Sequence, residues 1–436
     1  MTWIRSLRRS SFNIWMTASL LLVSGVMLHS DEIGSLKLGP PTPAGLEYNK
    51  GVGAITAGNL AEAESHFKKS LQLEPKNPQP YVGLAKIAID KGDPKGAMVP
   101  LRKAASLAPD DVSIQSTWGH YLFWQQHYAE SKAVLEKAIK LDPQAVRPRV
   151  ELGDLYLVGL HQPNTAIESY RAALKLQPND LRVVVSLAKA LGENGQLDQA
   201  EGELQQAILL DPKEPALFQS LGDLRLRRHD LDGALESYAA ALKIQSGFVP
   251  AHISRGDIFL VKGNLDKAMN EYAAASKADP KSALVYIKMG GVYEREHKPQ
   301  EAQQAYKTAI ALDSKQAVPY NNLAWMACRE DANLDGALAW AKKAVELAPK
   351  VATFQDTLGW VYQTRGQYDL ATVALKKALR LAPNDPEILY HLGVVYSKTK
   401  QPAAAREALE KALAQKKDFP EAGDARSRLQ ELSATR

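Results

Sequence analysis

Side chains able to do chemistry are thinly spread through this sequence of 436 residues. His120 and His127 come nearest to a metal-ligand pair, but their spacing of seven leaves them about two helical turns apart, and His127 falls in a predicted turn. The only cysteine, Cys328, can form neither an internal disulfide nor a multi-cysteine metal site. We therefore expect these side chains to serve packing or solvation.

The sequence signatures of common catalytic sites are missing. There is no Gly-rich phosphate loop followed by Lys-Ser/Thr, no H-E-x-x-H and no nucleophile elbow. We predict that the protein is not an enzyme. We also predict no catalytic residue, no cofactor and no metal site.

The charge balance does not favour nucleic acid as a partner. The formal net charge is +5, and Arg5, Arg8 and Arg9 supply three of these charges with no acidic residue before Asp31. Residues 31 to 436 therefore carry a net charge of only +2. A surface that binds phosphates normally shows a concentrated basic stripe. We expect no nucleic-acid partner.

The first 30 residues have the layout of a signal peptide or membrane anchor. Three arginines precede the largely apolar run from Phe12 to Leu28, which would span roughly 25 Å as a helix. A cleaved signal and a tilted anchor are both compatible with that length. Because the basic flank stays in the cytoplasm, we expect the rest of the chain in the periplasm, either free or held at the inner membrane. Residues 31 to 43 are predicted to be a Pro-rich linker.

Beyond the linker, one pattern repeats about every 34 residues. In the copy at 352 to 385, a small residue and an aromatic ring mark a first helix, a glycine marks a turn, spaced alanines mark a second helix, and a proline ends the unit. The marker residues of this copy are Gly359, Tyr362, Gly366, Ala371, Ala378 and Pro383. The units are placed at 44 to 77, 78 to 111, 112 to 145, 146 to 180, 181 to 214, 215 to 248, 249 to 282, 283 to 316, 317 to 351, 352 to 385 and 386 to about 415.

Two details of the repeats carry structural expectations. The segment Phe419 to Leu432 has apolar residues at helical spacing, which predicts a capping helix within residues 416 to 436. Pro100 falls inside the predicted second helix of the second unit, where it should kink or weaken the helix.

This pattern resembles that of the tetratricopeptide-repeat (TPR) family. The resemblance covers the eleven units at 44 to 415. It implies an all-α fold, a right-handed superhelical solenoid of about eleven helix pairs with a C-terminal capping helix. It also implies a scaffold that mediates protein–protein interactions, with its partner in a concave groove lined by the first helices.

The resemblance also places candidate binding residues in that groove. Positions 5 and 9 of each unit share one helix face, so Asn321 and Asp356 should each sit one turn from a tryptophan. The predicted partner-binding residues are Asn321, Trp325, Arg329, Asp356, Trp360, Tyr390, His120, Phe123 and Trp124. The same positions hold Asp154, Asp223 and Asp257 in the middle units. The alternative is that Trp325 and Trp360 pack against neighbouring first helices.

The last third is similar to TPR proteins of bacterial exopolysaccharide and exosortase (PEP-CTERM) systems. The segments that carry this resemblance are N-N-L-A-W at 321 to 325, D-T-L-G-W at 356 to 360, P-E-I-L-Y-H-L-G at 386 to 393 and F-P-E-A at 419 to 422. The resemblance implies a periplasmic scaffold for exopolysaccharide export or protein secretion. Direct glycan binding through the groove aromatics is the alternative function, with polysaccharide as the partner. An uncleaved N-terminal segment would add the inner membrane as a partner.

Overall fold

The computed structural model describes Leu36 and residues 39–330 and 333–434, and all regular structure within these ranges is helical. The predicted signal or anchor at residues 1 to 30 lies outside the described residues. The helices are α1 (Pro43–Thr56), α2 (Leu60–Leu73), α3 (Gln79–Asp90), α4 (Met98–Leu107), α5 (Val112–Trp124), α6 (Tyr128–Leu141), α7 (Arg147–Asp154), α8 (Pro163–Leu176), α9 (Leu181–Glu193), α10 (Leu197–Leu210), α11 (Pro215–Arg227), α12 (Leu231–Ile244), α13 (Val249–Val261), α14 (Leu265–Ala278), α15 (Ala283–Arg295), α16 (Pro299–Leu312), α17 (Ala317–Arg329), α18 (Leu334–Leu347), α19 (Ala352–Thr364), α20 (Tyr368–Leu381), α21 (Pro386–Lys398), α22 (Pro402–Gln415) and α23 (Ala422–Ala434).

Short turns join these helices into eleven pairs, and α23 follows the last pair. The predicted all-α fold of eleven helix pairs with a C-terminal capping helix is confirmed. The chain divides into two compact units between Ser237 and Tyr238, within α12. None of the described helices is both long enough and apolar enough to cross a membrane.

In several pairs, a large side chain of the second helix packs directly onto a glycine of the first helix. A Cβ atom at Gly256 would lie only 2.4 Å from Tyr272 Cε1, and one at Gly153 would lie 2.5 Å from the same atom of Tyr170. Both tyrosine side chains are completely buried. Glycine is needed at these positions because the ring occupies the space of a side chain.

The buried tyrosines also bind two of the aspartates that the repeat pattern placed in the groove. Tyr272 Oη donates to Asp257 Oδ1 at 2.5 Å, and Tyr170 Oη donates to Asp154 Oδ1 at 2.6 Å. Burial and the neighbouring carboxylate raise the pKa of Tyr272 well above its ordinary value, so the hydroxyl stays a donor. These aspartates therefore satisfy buried hydroxyls inside a repeat.

The expected kink at Pro100 is wrong. Helix α4 begins only at Met98 and has 10 residues, so Pro100 lies in its first turn. Backbone N–H groups of a first turn have no acceptor within the helix, so proline loses nothing there. Turns at residues 94 to 97 replace the missing start of the helix.

The unit at 146 to 180 absorbs its extra residue in a π-helical turn. Helix α7 continues into Leu155–Gly159, where Leu160 N donates to Leu155 O at 2.9 Å. This bond spans five residues instead of four, which accommodates one inserted residue without breaking the helix.

Replacing Gly256 with alanine should destabilise the fold by about 1–3 kcal/mol, because the new methyl group collides with the ring of Tyr272. Gly202 is the matched control, since it is exposed in α10 and a Cβ there meets no atom within 4 Å. Alanine at Gly202 should stabilise the helix by up to about 1 kcal/mol. Denaturant unfolding of both variants checks this, and equal effects would contradict the packing argument.

Candidate functional site

Three neighbouring first helices and the capping segment bring most of the predicted C-terminal residues together. Helix α17 packs against α19, and α19 packs against α21. Asn321 and Trp325 lie on α17, and Asp356 and Trp360 lie on α19. We call this surface the C-terminal face, and its residues are Asn321, Trp325, Thr353, Asp356, Trp360, Glu387, Tyr390, His391 and Glu421.

His391 is the centre of the C-terminal face. Its side chain is buried, with 3% of the residue exposed, and its Nδ1 lies 2.8 and 3.0 Å from the two carboxylate oxygens of Asp356. The imidazole centroid lies 4.2 Å from the Trp360 ring and 5.9 Å from the Trp325 ring. One imidazole from the eleventh repeat therefore contacts side chains of the ninth and tenth.

The charge on His391 is set by opposing effects. Burial lowers the pKa of the imidazole, but the adjacent Asp356 carboxylate, together with Glu421 and Glu387, outweighs burial and raises the pKa above 6.5. The protonated imidazole and Asp356 then form a buried ion pair between two first helices. Removing one partner of such a pair leaves a buried charge without compensation.

Tyr390 joins the C-terminal face to the capping helix. Its hydroxyl donates to Asp424 Oδ2 at 2.7 Å, and its ring lies 6.0 Å from that of Phe419. Asp424 is also bound by Arg428 one turn later on α23. Burial, followed by Asp424, raises the pKa of Tyr390. The side chain is buried, so it supports the surface more than it forms it.

Two half-buried glutamates complete the C-terminal face. Burial first, then the charges of Glu421 and Asp385, raise the pKa of Glu387 to about 7. Burial also raises the pKa of Glu421. Among the described residues, no cluster of His, Cys, Asp and Glu side chains has the arrangement of a metal site.

The two tryptophans are neither fully exposed, as a groove position predicts, nor fully buried, as packing between first helices predicts. Trp325, Trp360 and Asn321 are half-buried: the indole rings pack on His391 and still reach the surface. Arg329 is exposed and stands apart from His391, in a shallow depression shared with Glu294 and Met326.

The predicted N-terminal residues form a separate set on α5. Trp124 Nε1 donates to His120 Nε2 at 2.8 Å, and both side chains are half-buried. Phe123 belongs to the hydrophobic core and is only 6% exposed. Burial raises the pKa of the neighbouring Glu151, although Arg147 and His120 oppose this.

Sequence reasoning missed His391, Glu387 and Glu421. All three stand in the segments that carried the exopolysaccharide resemblance, at 386 to 393 and 419 to 422. The signal that the sequence offers for His391 is a titratable side chain within the otherwise apolar stretch 388–395. Its partner Asp356 is 35 residues away, a separation that only the stacking of repeats brings to contact.

Models of one family match most of the chain. One model described as "Tetratricopeptide repeat" matches residues 54–117, 157–223 and 363–429, and a second with the same description matches 117–180 and 220–283. This chain belongs to the tetratricopeptide-repeat family. TPR arrays are scaffolds for protein–protein interaction and are generally not catalytic.

Curated relatives share part of the TPR array. The chain is 27% identical to "Cellulose synthase operon protein C" of Xanthomonas axonopodis pv. citri, over 37% of this chain and 11% of that protein. It is 27% identical to "Type IV pilus assembly protein PilF" of Pseudomonas aeruginosa, over 32% of this chain and 56% of that protein. The matches thus span less than two thirds of either relative.

A solved structure shows the same fold. The chain matches the crystal structure titled "APC/C hetero-tetramer Cut9-Hcn1" with a TM-score of 0.51, at 16% identity, over 90% of this chain and 96% of that one. At this identity the likeness concerns the fold alone.

Stability should fall as the pH rises from 5 to 8. The folded-state pKa of Glu387 is raised from 4.5 to about 7, so folding binds its proton and ionisation weakens the fold. His391 acts in the same direction, because a raised histidine pKa gives stability that is lost as the pH rises through it. Glu387→Gln should flatten the pH dependence of the denaturant midpoint, whereas Glu410→Gln, an exposed change on α22, should leave it unaltered. An unchanged slope in Glu387→Gln would refute this.

Proposed function

We propose that this TPR protein is an exported scaffold that holds protein partners in the bacterial cell envelope, with the C-terminal face as a binding site. The order of basic and apolar residues at the N-terminus supports export. The named relatives from a cellulose synthase operon and from pilus assembly support an envelope role. Exopolysaccharide export and protein secretion are the two pathways that fit these relatives.

The observation that carries the proposal is the pair of half-exposed indoles on a rigid base. Trp325 and Trp360 both rest on the ring of His391, whose position is fixed by Asp356. Tryptophans held in this way lose little freedom on binding, and they are enriched among residues that dominate binding energy.

Direct glycan binding is the second candidate, and the same indoles favour it, because sugar rings stack on aromatic faces. The hydrogen bonds that a glycan would need are less well provided for. Both oxygens of Asp356 face His391 Nδ1, so this carboxylate is less available to sugar hydroxyls. A protein partner therefore fits the C-terminal face better.

Replacing Trp325 and Trp360 with alanine should weaken partner binding by about 2 kcal/mol or more. The stability loss should stay below the roughly 3–5 kcal/mol of a fully buried aromatic, because both rings are half-buried. Trp340→Ala is the matched control, a half-buried tryptophan on the second helix α18. Crosslinking in native envelopes, quantified by mass spectrometry, and thermal melting should be measured on the unchanged protein, the double variant and Trp340→Ala. If the amount of crosslinked partner is unchanged in the double variant but falls with Trp340→Ala, this binding site is ruled out.

The array should be reached only from the periplasmic side. A phosphatase reporter that folds after export, fused after Arg436, should be active, and a cytoplasm-only reporter at the same place should be silent. Replacing Arg5, Arg8 and Arg9 with glutamate should reduce export. Activity of the cytoplasmic reporter alone would contradict the proposal.

A further inference from the structure

The C-terminal face carries more negative than positive charge. Asp356 is paired with His391, and Asp424 is paired with Arg428. Glu387 and Glu421 form no ion pair among the described residues, and the positive charge that acts on both is that of His391. Two half-buried carboxylates therefore share a cation that Asp356 holds more closely.

These two glutamates also disfavour each other's charge. Glu421 raises the pKa of Glu387, as does Asp385 at the start of α21. An aspartate of the seventh repeat shows how a carboxylate is compensated elsewhere in the array. Asp257 accepts from Tyr272 and lies 2.8 Å from the buried ammonium of Lys288, so its charge is fully compensated. Glu387 and Glu421 have no such partner from the fold.

Unbonded oxygen atoms lie on the same face. Asn321 Oδ1, Thr353 Oγ1 and Glu421 Oε2 are shielded from solvent, and no group of the described chain hydrogen-bonds to them. Shielded acceptors normally have a donor. The hydrophobic cluster that contains Phe419 and Ala422, on either side of Glu421, also packs Trp360. The face thus combines acceptors, negative charge and indole rings.

We propose that the C-terminal face binds an arginine side chain from a basic segment of a protein partner. A guanidinium has a planar set of N–H donors that matches carboxylates and flat faces that stack on indoles. A lysine ammonium would satisfy the charge but not the stacking geometry. This inference rests on the proposed function and gives the partner a chemistry.

The test uses the full-length protein and a defined probe, a fluorescein-labelled nonapeptide of alternating arginine and serine. A second peptide replaces each arginine with citrulline, which keeps the shape and removes the charge. In anisotropy titrations at pH 8, the citrulline peptide should bind at least about tenfold more weakly than the arginine peptide. A cello-oligosaccharide serves as the neutral competitor.

Two double variants separate the local site from the overall charge. Glu387→Gln with Glu421→Gln should weaken binding of the arginine peptide about tenfold. Glu407→Gln with Glu410→Gln makes the same change in net charge at exposed positions of α22 and should change binding less than about twofold. Burial raises the pKa of both glutamates, so removing their charges should stabilise the fold at pH 8, and weaker binding would then not come from unfolding.

The pH dependence provides an independent measurement. Between pH 6 and pH 8 Glu387 ionises, so the arginine peptide should bind more tightly as the pH rises. The Glu387→Gln, Glu421→Gln variant should lose this trend. Equal binding of the two peptides, equal losses in the two double variants, or displacement by the oligosaccharide in a Glu-independent manner would each overturn the proposal. Partner capture that still depends on Trp325 and Trp360 would then leave the proposed function standing.

Discussion

The fold depends on one constraint: no helix pair can bury its apolar faces alone. Within a pair, the contact that satisfies this constraint is a large side chain of the second helix seated on a small residue of the first, as with Tyr272 on Gly256. Between pairs, the burial comes from neighbouring helices, so stability accumulates along the array. The ends and the junctions of the array are therefore where polar groups matter most.

Two junctions in the unit from Tyr238 onward show how differently polar groups can be used. At the junction of the seventh and eighth repeats, Tyr272 and Lys288 both bind the carboxylate of Asp257. At the junction of the tenth and eleventh, Asp356 and His391 form a similar buried pair. Two glutamates stand close to that second pair, and both have raised pKa values. The polar groups of the first junction stabilise the contact between its repeats. The second junction also contains two glutamates whose ionisation is unfavourable in the folded protein.

Sequence reasoning succeeded where one physical cause repeats eleven times. The all-α class, the helix pairs and the capping helix follow from the spacing of small residues, apolar residues and prolines, and each copy corroborates the others. Local departures from the repeat were harder to predict. Pro100 was placed by period inside a helix, but the Gly- and Pro-rich stretch before it delays the helix start to Met98. The π turn after α7 was visible in the sequence only as one extra residue.

The C-terminal face was half predictable for a related reason. Asn321, Trp325, Asp356 and Trp360 occupy equivalent positions of their repeats, so the pattern identified them. His391, Glu387 and Glu421 are single departures from the pattern, and nothing in a period of 34 marks a departure as a contact. Their role arises from the juxtaposition of α17, α19, α21 and the capping segment, which brings residues more than 30 positions apart together.

The placement of this charge near the end of the array has a physical logic. Interior repeats have a neighbour on each side that can supply a countercharge, as Lys288 does for Asp257. In the part of the chain that the structure describes, the eleventh repeat is followed by α23, and the residue just before this helix is Glu421, a further carboxylate. The capping segment therefore raises the electrostatic cost of the last junction instead of lowering it. A basic or neutral residue in place of Glu421 would lower that cost, so the stability of the fold alone does not account for this carboxylate.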